Sequence, residues 1–496
     1  MIKNDAIIVL LLLYFLSVSV GIPAFYVQLT KLKMTHPLQS ITLSSLLFAL
    51  VACGGGGAGS DNPGNTTPPN WSAQAYVKAS NAESRDGFGD GPLGSGLAID
   101  GDTMVVAASG EGSNQTTITN GSTASTDNSA PNSGAAYVFV RNTADGTWSH
   151  QAYLKAANSQ GNDVFGGTLS ISGDTIVVGA NGESSSQTTI TNGSTASADN
   201  SAGISGAAYV FVRAGTTWSQ QAYLKAPNTN RADLFGGSVA VNGDTIVVGA
   251  VGESSNQTTI TNGSTASTDN SASSSGAAYV FVRSGANWSQ QAYLKAPNAN
   301  ANDGFGIGVS ISGDTIVVGA SGEDSNQTTI TNGSTASTDN SASASGAAYV
   351  FVRSGANWSQ QAYLKAPNAD LNDRIGQNVS ISGDTIVVGA NSEDSSQTTI
   401  TNGSTASADN SADGSGAAYV FVRNTANGTW SHQAYLKAAN AQQGDQFGVS
   451  VAISGSTIVV GASGEDSSQT TITNGSTAST DNSASNSGAA YVFLRK

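Results

Sequence analysis

The chain has one cysteine, three histidines and few charged residues, and each shortage excludes a class of protein. A single cysteine, Cys53, cannot build a disulfide framework. Charged residues make up 11% of the 496 residues, well below the roughly one quarter that is usual in soluble proteins. His150 and His432 stand in repeated Trp-Ser-X-Gln motifs where another copy has Gln290, and no Gly-X-Ser-X-Gly motif with a partnering histidine appears. The sequence therefore predicts that the protein is not an enzyme.

Basic residues are especially scarce. The chain has 34 Asp and Glu against 19 Lys and Arg, which gives a formal net charge of −15. This excess of negative charge repels phosphate backbones, so we expect no binding to nucleic acid. It is compatible with a soluble surface or with a face that binds cations.

What the chain has in abundance is repetition. Each tryptophan marks one copy of a unit that recurs about every 70 residues. The six copies begin at Trp71, Trp148, Trp218, Trp288, Trp358 and Trp430. A unit of this length with several short apolar runs is a supersecondary element that packs on its neighbours. We expect the tryptophans to pack on an outer strand, with stacking against sugars as the alternative.

Four strand signals recur in each unit. In the fourth unit they are Gly308–Ile311, Thr315–Ala320, Ala347–Arg353 and Trp358–Lys365. The second and third runs show no polar alternation, which is typical of strands that are covered on both faces. The pattern predicts an all-β fold, a six-bladed β-propeller of four-stranded antiparallel blades. A β-solenoid or a row of sandwiches is the alternative.

A Phe-Gly pair opens the first strand of most units and a Gly-Ala pair closes the second, as at Phe235-Gly236 and Gly249-Ala250. The pattern recurs at Phe165-Gly166 with Gly179-Ala180, Phe305-Gly306 with Gly319-Ala320, and Phe447-Gly448 with Gly461-Ala462, and is degraded at Ile375-Gly376 and Ala107-Ala108. It resembles the FG-GAP repeat of integrin α-subunit N-terminal propellers and of bacterial FG-GAP repeat lipoproteins. The resemblance implies a propeller that serves binding or adhesion.

The chain departs from the integrin pattern in two ways. Integrin propellers have seven blades, whereas six units are visible here. Integrin calcium loops read Asp-X-Asp-X-Asp-Gly between the first two strands, and the nearest match, Asp100-Gly101-Asp102, has too few oxygen ligands. The integrin calcium sites are therefore not transferred to this chain.

The ends of the repeated region predict how the ring closes. The region begins with an outer-strand pattern, Trp71–Lys78, that has no preceding blade, and it ends after a third strand, Ala490–Arg495. We expect these two strands to pair, because the pairing would cover two sheet edges that otherwise promote aggregation.

Residues 1–52 predict a hydrophobic targeting segment, with Met34 as an alternative start. The segment ends in Leu50-Val51-Ala52-Cys53, which resembles the lipobox of bacterial lipoproteins. The resemblance implies cleavage before Cys53, lipidation of that residue, and attachment at the outer membrane or cell surface; a stray cysteine is the alternative. Residues 53–70 are rich in Gly, Ser and Pro and predict a flexible tether, and residues 71–496 form the predicted propeller.

The longest connection in each unit lies between the second and third strands, from Ser321 to Ser345 in the fourth unit. Connections of that length are uncommon and frequently functional. Its Thr-rich run, with Asn-Gly at the centre, predicts a small hairpin that crowns one face of the propeller. We expect contacts with a ligand from Thr328, Thr329, Thr331 and Asn332.

Three acidic residues recur around these loops in every unit. In the third and fourth units they are Asp233, Glu253, Asp269, Asp303, Glu323 and Asp339. Their connections should leave each blade on the same face, where three carboxylates per blade would suit Ca²⁺. The alternative is that the acids cap turns and keep the face soluble.

These features together predict a lipid-anchored binding or adhesion module. We expect it to be monomeric and to engage a polysaccharide or a cell-surface protein through the long loops, with calcium as an aid. A passive coat lipoprotein without a specific ligand is the alternative, followed by a carbohydrate-active protein.

The lipobox resemblance gives a direct test. Replacing Cys53→Ser removes the thiol that would carry the lipid, so the precursor should remain uncleaved and unlipidated. Mass spectrometry of the membrane-associated and released protein would measure this. Normal processing of the variant would contradict the anchor.

Overall fold

The computed structural model describes residues 74–91 and 96–495, and the strands in these residues form six antiparallel sheets. No helix occurs among these residues. Cys53, Trp71 and the predicted targeting segment and tether lie outside the described part of the chain. The all-β, six-bladed propeller predicted from the repeats is confirmed.

Each sheet is one blade, and all strands of a blade come from one continuous stretch of the chain. Blade 1 contains β1 (Leu97–Asp100), β2 (Thr103–Ala108), β3 (Thr119–Asn120), β4 (Ala135–Arg141) and β5 (Trp148–Leu154). Blade 2 contains β6 (Thr168–Ser172), β7 (Thr175–Ala180), β8 (Thr191–Asn192), β9 (Ala207–Ala214) and β10 (Thr217–Leu224). Blade 3 contains β11 (Phe235–Asn242), β12 (Thr245–Ala250), β13 (Thr261–Asn262), β14 (Ala277–Ser284) and β15 (Asn287–Leu294).

The remaining blades repeat this order. Blade 4 contains β16 (Val309–Ser312), β17 (Thr315–Ala320), β18 (Thr331–Asn332), β19 (Ala347–Ser354) and β20 (Asn357–Leu364). Blade 5 contains β21 (Val379–Ser382), β22 (Thr385–Ala390), β23 (Thr401–Asn402), β24 (Ala417–Arg423) and β25 (Trp430–Leu436). Blade 6 contains β26 (Phe447–Ser454), β27 (Thr457–Ala462) and β28 (Ala489–Leu494).

The prediction of four strands per blade needs a correction. In blade 4 the spatial order is β16-β17-β19-β20-β18, so the long loop adds a fifth, two-residue strand outside β20. Blades 1 to 3 and 5 repeat this order, and the described part of blade 6 has three strands. The extra strand was missed because two residues of Thr and Asn carry no periodic signal.

The apolar core lies between neighbouring blades. In β17, Ile316 and Val318 pack with side chains of blade 3, whereas Val317 between them packs with side chains of blade 5. Successive side chains of a strand point to opposite faces, so a run without polar residues serves two interfaces at once. This explains the lack of alternation in the sequence.

Glycines allow the backbones of adjacent blades to touch. A Cβ atom added at Gly249 would collide with the carbonyl oxygen of Gly306 in the next blade, and the same collision links Gly319 to Gly376. The Phe-Gly and Gly-Ala pairs of the repeat therefore meet each other across each such interface. This close approach is the physical reason for their spacing.

The first and last blades each have one uncovered face. Leu97 and Ile99 of β1 are 58% and 63% exposed, and Val492 and Leu494 of β28 are 61% and 66% exposed. At an interface between two blades, the residue equivalent to Val492 is Val350, and it is fully buried.

The predicted pairing of Trp71–Lys78 with the last blade is not present among the described residues. Residues 74–79 form no strand, and β28 is the edge of its three-stranded sheet. Gln74 instead accepts a hydrogen bond of 3.4 Å from Trp148 Nε1, as Gln151 does from Trp218 Nε1 at 2.9 Å. Residues 74–79 therefore lie beside blade 1, in the place of a preceding outer strand.

Gly249→Ala should lower the unfolding free energy by about 1–3 kcal/mol, the usual cost of overpacking. Gly461→Ala is the matched control, because Gly461 holds the same position in blade 6 and a Cβ there would meet only Ser450 of its own blade. Denaturant unfolding of both variants measures the difference. If Gly461→Ala lowered the unfolding free energy as much as Gly249→Ala, blade 6 would have to pack on another blade, as ring closure requires.

Candidate functional site

The long loops lie along the outer edge of the blades. We call the segments between the second and third long strands the rim loops; they are residues 109–134, 181–206, 251–276, 321–346, 391–416 and 463–488. In blade 4, Thr331 and Asn332 pair with Tyr363 and Ala362 of β20. The prediction of a small Thr-rich hairpin that crowns one face is therefore wrong, because Thr331 and Asn332 pair with the outer strand instead.

Side-chain amides fix the rim loop in place. Gln327 Nε2 donates to Thr331 Oγ1 at 2.9 Å and to the Thr329 carbonyl at 2.6 Å. Asn332 donates through Nδ2 to the Trp430 carbonyl at 3.1 Å and accepts from the Trp430 amide at 2.7 Å. Of the four predicted ligand contacts, Thr331 and Asn332 thus have structural bonds, and Thr328 and Thr329 are exposed.

The Asn332 contact is a clamp between blades, because Trp430 belongs to blade 5. The same two bonds join the asparagine of a rim loop to the tryptophan of the following blade in three further pairs. These are Asn120 with Trp218, Asn192 with Trp288, and Asn262 with Trp358. The recurrent Asn-Gly step in the sequence is the signal of this clamp.

The tryptophans of blades 2 to 5 are packing residues. Trp358 is 2% exposed, its Nε1 donates to Gln291 Oε1 at 2.8 Å, and the Arg353 guanidinium lies 5.3 Å from the ring centroid. The indole is therefore covered from both sides and unavailable to a sugar. The prediction that these residues pack on the outer strand is confirmed for Trp218, Trp288, Trp358 and Trp430.

Glu323 is the centre of a buried polar cluster and not of a metal site. Its Oε2 lies 3.1 Å from Lys365 Nζ, and its Oε1 accepts from Tyr363 Oη at 2.8 Å and from Asn298 Nδ2 at 3.0 Å. Lys365 Nζ donates further to Ser345 Oγ and to the Gly346 carbonyl. Both charges are 1% exposed or less and fully hydrogen-bonded, which is the condition under which a buried ion pair is tolerated.

The same buried ion pair occurs in each of the first five blades. The pairs are Lys155 with Glu111, Lys225 with Glu183, Lys295 with Glu253, Lys365 with Glu323, and Lys437 with Glu393. Calcium ligation is the role that the sequence predicts for Glu253 and Glu323, and that prediction overlooks the lysines. The signal was a lysine at the end of every apolar Gln-Ala-Tyr-Leu strand.

Blade 6 lacks this partner among the described residues. Glu465 is 4% exposed, and its carboxylate accepts from Asn440 Nδ2 at 3.0 Å and from the Ser467 amide at 3.1 Å. By position its lysine would be Lys78, which follows the same outer-strand pattern but is exposed.

Asp233 and Asp303 are buried turn caps. Asp303 is 1% exposed, and its Oδ2 accepts from the Asn300 amide at 2.8 Å; Asp233 accepts from the Asn230 amide at 2.7 Å. Burial, with smaller contributions from nearby Glu253 and Glu323, raises the pKa of each carboxyl to about 7.

Asp339, which is exposed, and Asp269, which is partly buried, each hold a rim loop together by hydrogen bonds. Asp339 Oδ2 accepts from the Asn326 amide at 3.0 Å and from Ser341 Oγ at 2.9 Å. Hydrogen bonds from the Asn326 amide and the Ser341 hydroxyl lower its pKa, and Asn256 and Ser271 do the same for Asp269.

The predicted calcium ligands therefore do not form an oxygen shell. Glu253 and Glu323 are each neutralised by a lysine, and the aspartates accept hydrogen bonds from backbone amides. Among residues 74–91 and 96–495, no group of three or more His, Cys, Asp or Glu side chains is placed to hold a metal ion. These residues do not fit calcium, and the capping alternative describes the aspartates.

The two histidines lie in outer strands, as expected. His150 and His432 face Phe139 and Phe421 of the adjacent strands, the place that Gln290 occupies opposite Phe281. Burial lowers the pKa of His432, so its imidazole is neutral near pH 7. Within the described residues, no helix has the length and apolar character needed to span a bilayer.

Comparison with known families finds one match that covers more than half of the chain. The family model described as "FG-GAP repeat" matches residues 148–211, 218–281, 288–351, 358–421 and 430–493. These segments correspond to the repeated units from the second to the sixth. No curated protein sequence matches the chain.

Solved structures resemble the chain only distantly. One is a protein assigned as a 6-phosphogluconolactonase from Bacteroides uniformis, with 9% identity and a TM-score of 0.38, covering 74% of this chain and 76% of that one. Another is an acylaminoacyl peptidase from Pyrococcus horikoshii, with 10% identity and a TM-score of 0.33, covering 75% of this chain and 42% of that one. Similarities this weak say nothing about activity.

The buried aspartates make stability depend on pH. A carboxyl whose pKa rises from 3.8 in the unfolded chain to about 7 in the fold favours folding while it is protonated, so stability falls as pH rises from about 4 to about 7. Asp303→Asn keeps an acceptor for the Asn300 amide but carries no charge. It should match the wild type near pH 4 and be more stable at pH 8.

Denaturant midpoints between pH 4 and 8 measure this, with a slope of at most about 1.4 kcal/mol per pH unit for each group. Asp339→Asn is the control, because its lowered pKa confines its effect to pH below about 4. If stability depended on pH in Asp303→Asn as it does in the wild type, the raised pKa of the Asp303 carboxyl would not be a source of that dependence.

Proposed function

The chain belongs to the FG-GAP repeat family, and on that basis we propose that its propeller is a surface-displayed binding module rather than an enzyme. The partner is a repeating polymer, such as a polysaccharide or a cell-surface protein array. The rim loops supply the contacts.

The observation that carries this proposal is a pair of exposed threonines at the same place in every rim loop. In blade 4 the pair is Thr328-Thr329. The copies are 116–117, 188–189, 258–259, 398–399 and 470–471, and all are exposed. Hydroxyl groups both donate and accept hydrogen bonds, which suits the hydroxyl-rich surface of a polysaccharide.

The threonine pairs stand on a rigid base. Gln327 bonds the backbone at Thr329 and the side chain of Thr331, and Asn332 clamps the loop to the next blade. A site that is already ordered loses little conformational entropy on binding. Contacts that are weak singly can therefore contribute to net affinity.

Repetition supplies the affinity that one threonine pair lacks. A polymer that engages one rim loop holds its next segment near the neighbouring loop, and such linkage can raise affinity about 10²–10⁴-fold without new kinds of contact. Exposed Asp339 and its copies keep the rim negative, which favours neutral or basic partners.

The anchor predicted at Cys53 would place this module at the outer membrane or cell surface. Two acyl chains on one residue hold a protein stably at a membrane, where a single chain does not. The Gly- and Pro-containing tether of residues 54–70 would give the propeller reach. No metal takes part in the proposal, so binding should persist in EDTA.

Replacing the threonine pair by alanine in all six rim loops should abolish attachment to a glycan array or cell surface. Replacing only Thr328 and Thr329 should weaken it less than tenfold, because the other copies remain. The control replaces exposed serines of the outer strands, Ser219, Ser289 and Ser359, by alanine. The melting temperature should change little in every variant.

Two outcomes would redirect the interpretation. Attachment that survives the six-loop variant would exclude the rim as the binding surface. Absence of any attachment by the wild type would favour a passive coat lipoprotein.

A further inference from the structure

A cavity of about 390 Å³ opens where three consecutive blades meet, away from the outer edge that carries the threonine pairs. Its walls come from the segments that lead into the innermost strands of blades 3, 4 and 5 and from both ends of the rim loops of blades 3 and 4. Its volume lies within the range of about 300–1,000 Å³ that is usual for small-ligand sites.

Most residues that line this cavity stand at positions where the units differ. The position before the Phe-Gly pair is Val164, Leu234, Gly304, Arg374 and Gln446 in successive units. The position after that pair is Gly167, Gly237, Ile307, Gln377 and Val449. Leu234, Gly304, Ile307, Arg374 and Gln377 line the cavity from these two positions. The repeat positions of Val251 and of Ser274 also vary among the units, whereas Asn302 recurs as Asn162 and Asn372.

A second cavity shows the contrast. It measures about 440 Å³ and is lined by Asp244, Arg283, Asp314 and Arg353, which recur in neighbouring units and form ion pairs with each other. Repeated residues maintain the scaffold, and they give every blade the same surface. Variation among otherwise near-identical units gives the first cavity a chemistry that no other part of the propeller repeats.

The chemistry of the variable cavity has two parts. Leu234, Val251 and Ile307 are partly buried apolar side chains on its wall. Arg374 is its only charged side chain, is exposed, and takes part in no ion pair among the described residues. An arginine fork binds a carboxylate through two parallel hydrogen bonds.

The backbone of the cavity is held before any ligand arrives. Arg374 donates its amide to the Ala344 carbonyl and Gly304 donates to the Ser274 carbonyl, each at 3.0 Å. Leu234, Ala344 and Arg374 adopt φ values of 56°, 52° and 56°, a region that non-glycine residues rarely enter. The Leu234 amide likewise donates to the Ile204 carbonyl at 3.2 Å, so the backbone fixes the direction in which Leu234 and Arg374 project.

We propose that this cavity is a binding site for a carboxylate carried on an apolar body, with Arg374 holding the carboxylate and Leu234, Val251 and Ile307 covering the carbon skeleton. The ligand is a free aromatic or branched-chain acid or the C-terminus of a peptide that ends in an apolar residue. The site borders the two ends of the rim loops of blades 3 and 4 but is separate from the threonine pairs, and its loss leaves every threonine pair unchanged.

Calorimetric titration of the full chain tests the site. The probes are 4-phenylbutanoate, 4-phenylbutylamine, and a short peptide ending in phenylalanine with either a free or an amidated C-terminus. The acid or the free-carboxyl peptide should saturate a single site, and the amine and the amidated peptide should not bind. Whichever carboxylate binds more tightly identifies the source of the ligand.

The chain offers matched variants that preserve the fold. Gln446 takes φ 57° at the position equivalent to Arg374 and Leu234, so Arg374→Gln and Leu234→Gln introduce a residue that this backbone already accepts. Each should weaken binding at least tenfold. Arg231→Gln removes an exposed arginine outside the cavity lining and should change nothing.

Three results would overturn the proposal. They are the absence of saturable binding by both carboxylates, equal binding of acid and amine, and undiminished binding by Arg374→Gln with an unchanged melting temperature. Loss of binding in Arg231→Gln would place the site elsewhere on the same face.

Discussion

The close approach of backbones between blades is the constraint on which the structure depends. Gly249 faces the carbonyl of Gly306, and this contact leaves no room for a side chain. Because the backbones lie so close, side chains of β12 contact both adjacent blades, and one apolar strand contributes to two interfaces. The aromatic residues Phe305 and Tyr349, with ring centroids 5.4 Å apart, complete the packing beside the glycines.

The rim of each blade depends on a second kind of interaction, a buried polar cluster. Glu323 joins the start of a rim loop to Lys365 at the end of the outer strand and to Asn298 from the preceding connection. These side chains satisfy each other's hydrogen bonds. Removing Glu323 or Lys365 would therefore leave a buried charge without its partner, at a cost of about 3–5 kcal/mol. The acids that look like metal ligands in the sequence therefore hold the loops, and the exposed groups of the rim include its threonine hydroxyls.

Positions that recur in the units of the propeller and positions that vary among them have different roles. The Asn-Trp clamps, the Glu-Lys pairs and the glycine contacts recur because each blade needs the same support. Residues at variable positions line one cavity, where Leu234 of blade 3 and Arg374 of blade 5 stand at equivalent places two blades apart. Repeated sites on the rim suit a repeating partner, and a single asymmetric cavity suits a single small ligand.

The sequence by itself determined the blade count, the four long strands and the packing role of the tryptophans. These features follow from a periodic pattern of residues that recurs in every unit. The bounds predicted for the fourth unit agree with β16, β17, β19 and β20 to within one residue. Only the tertiary structure decided where the loops lie and what the acids do. Glu323 and Lys365 are 42 residues apart, and no local pattern shows that a lysine from the end of one strand neutralises a carboxylate at the start of a loop.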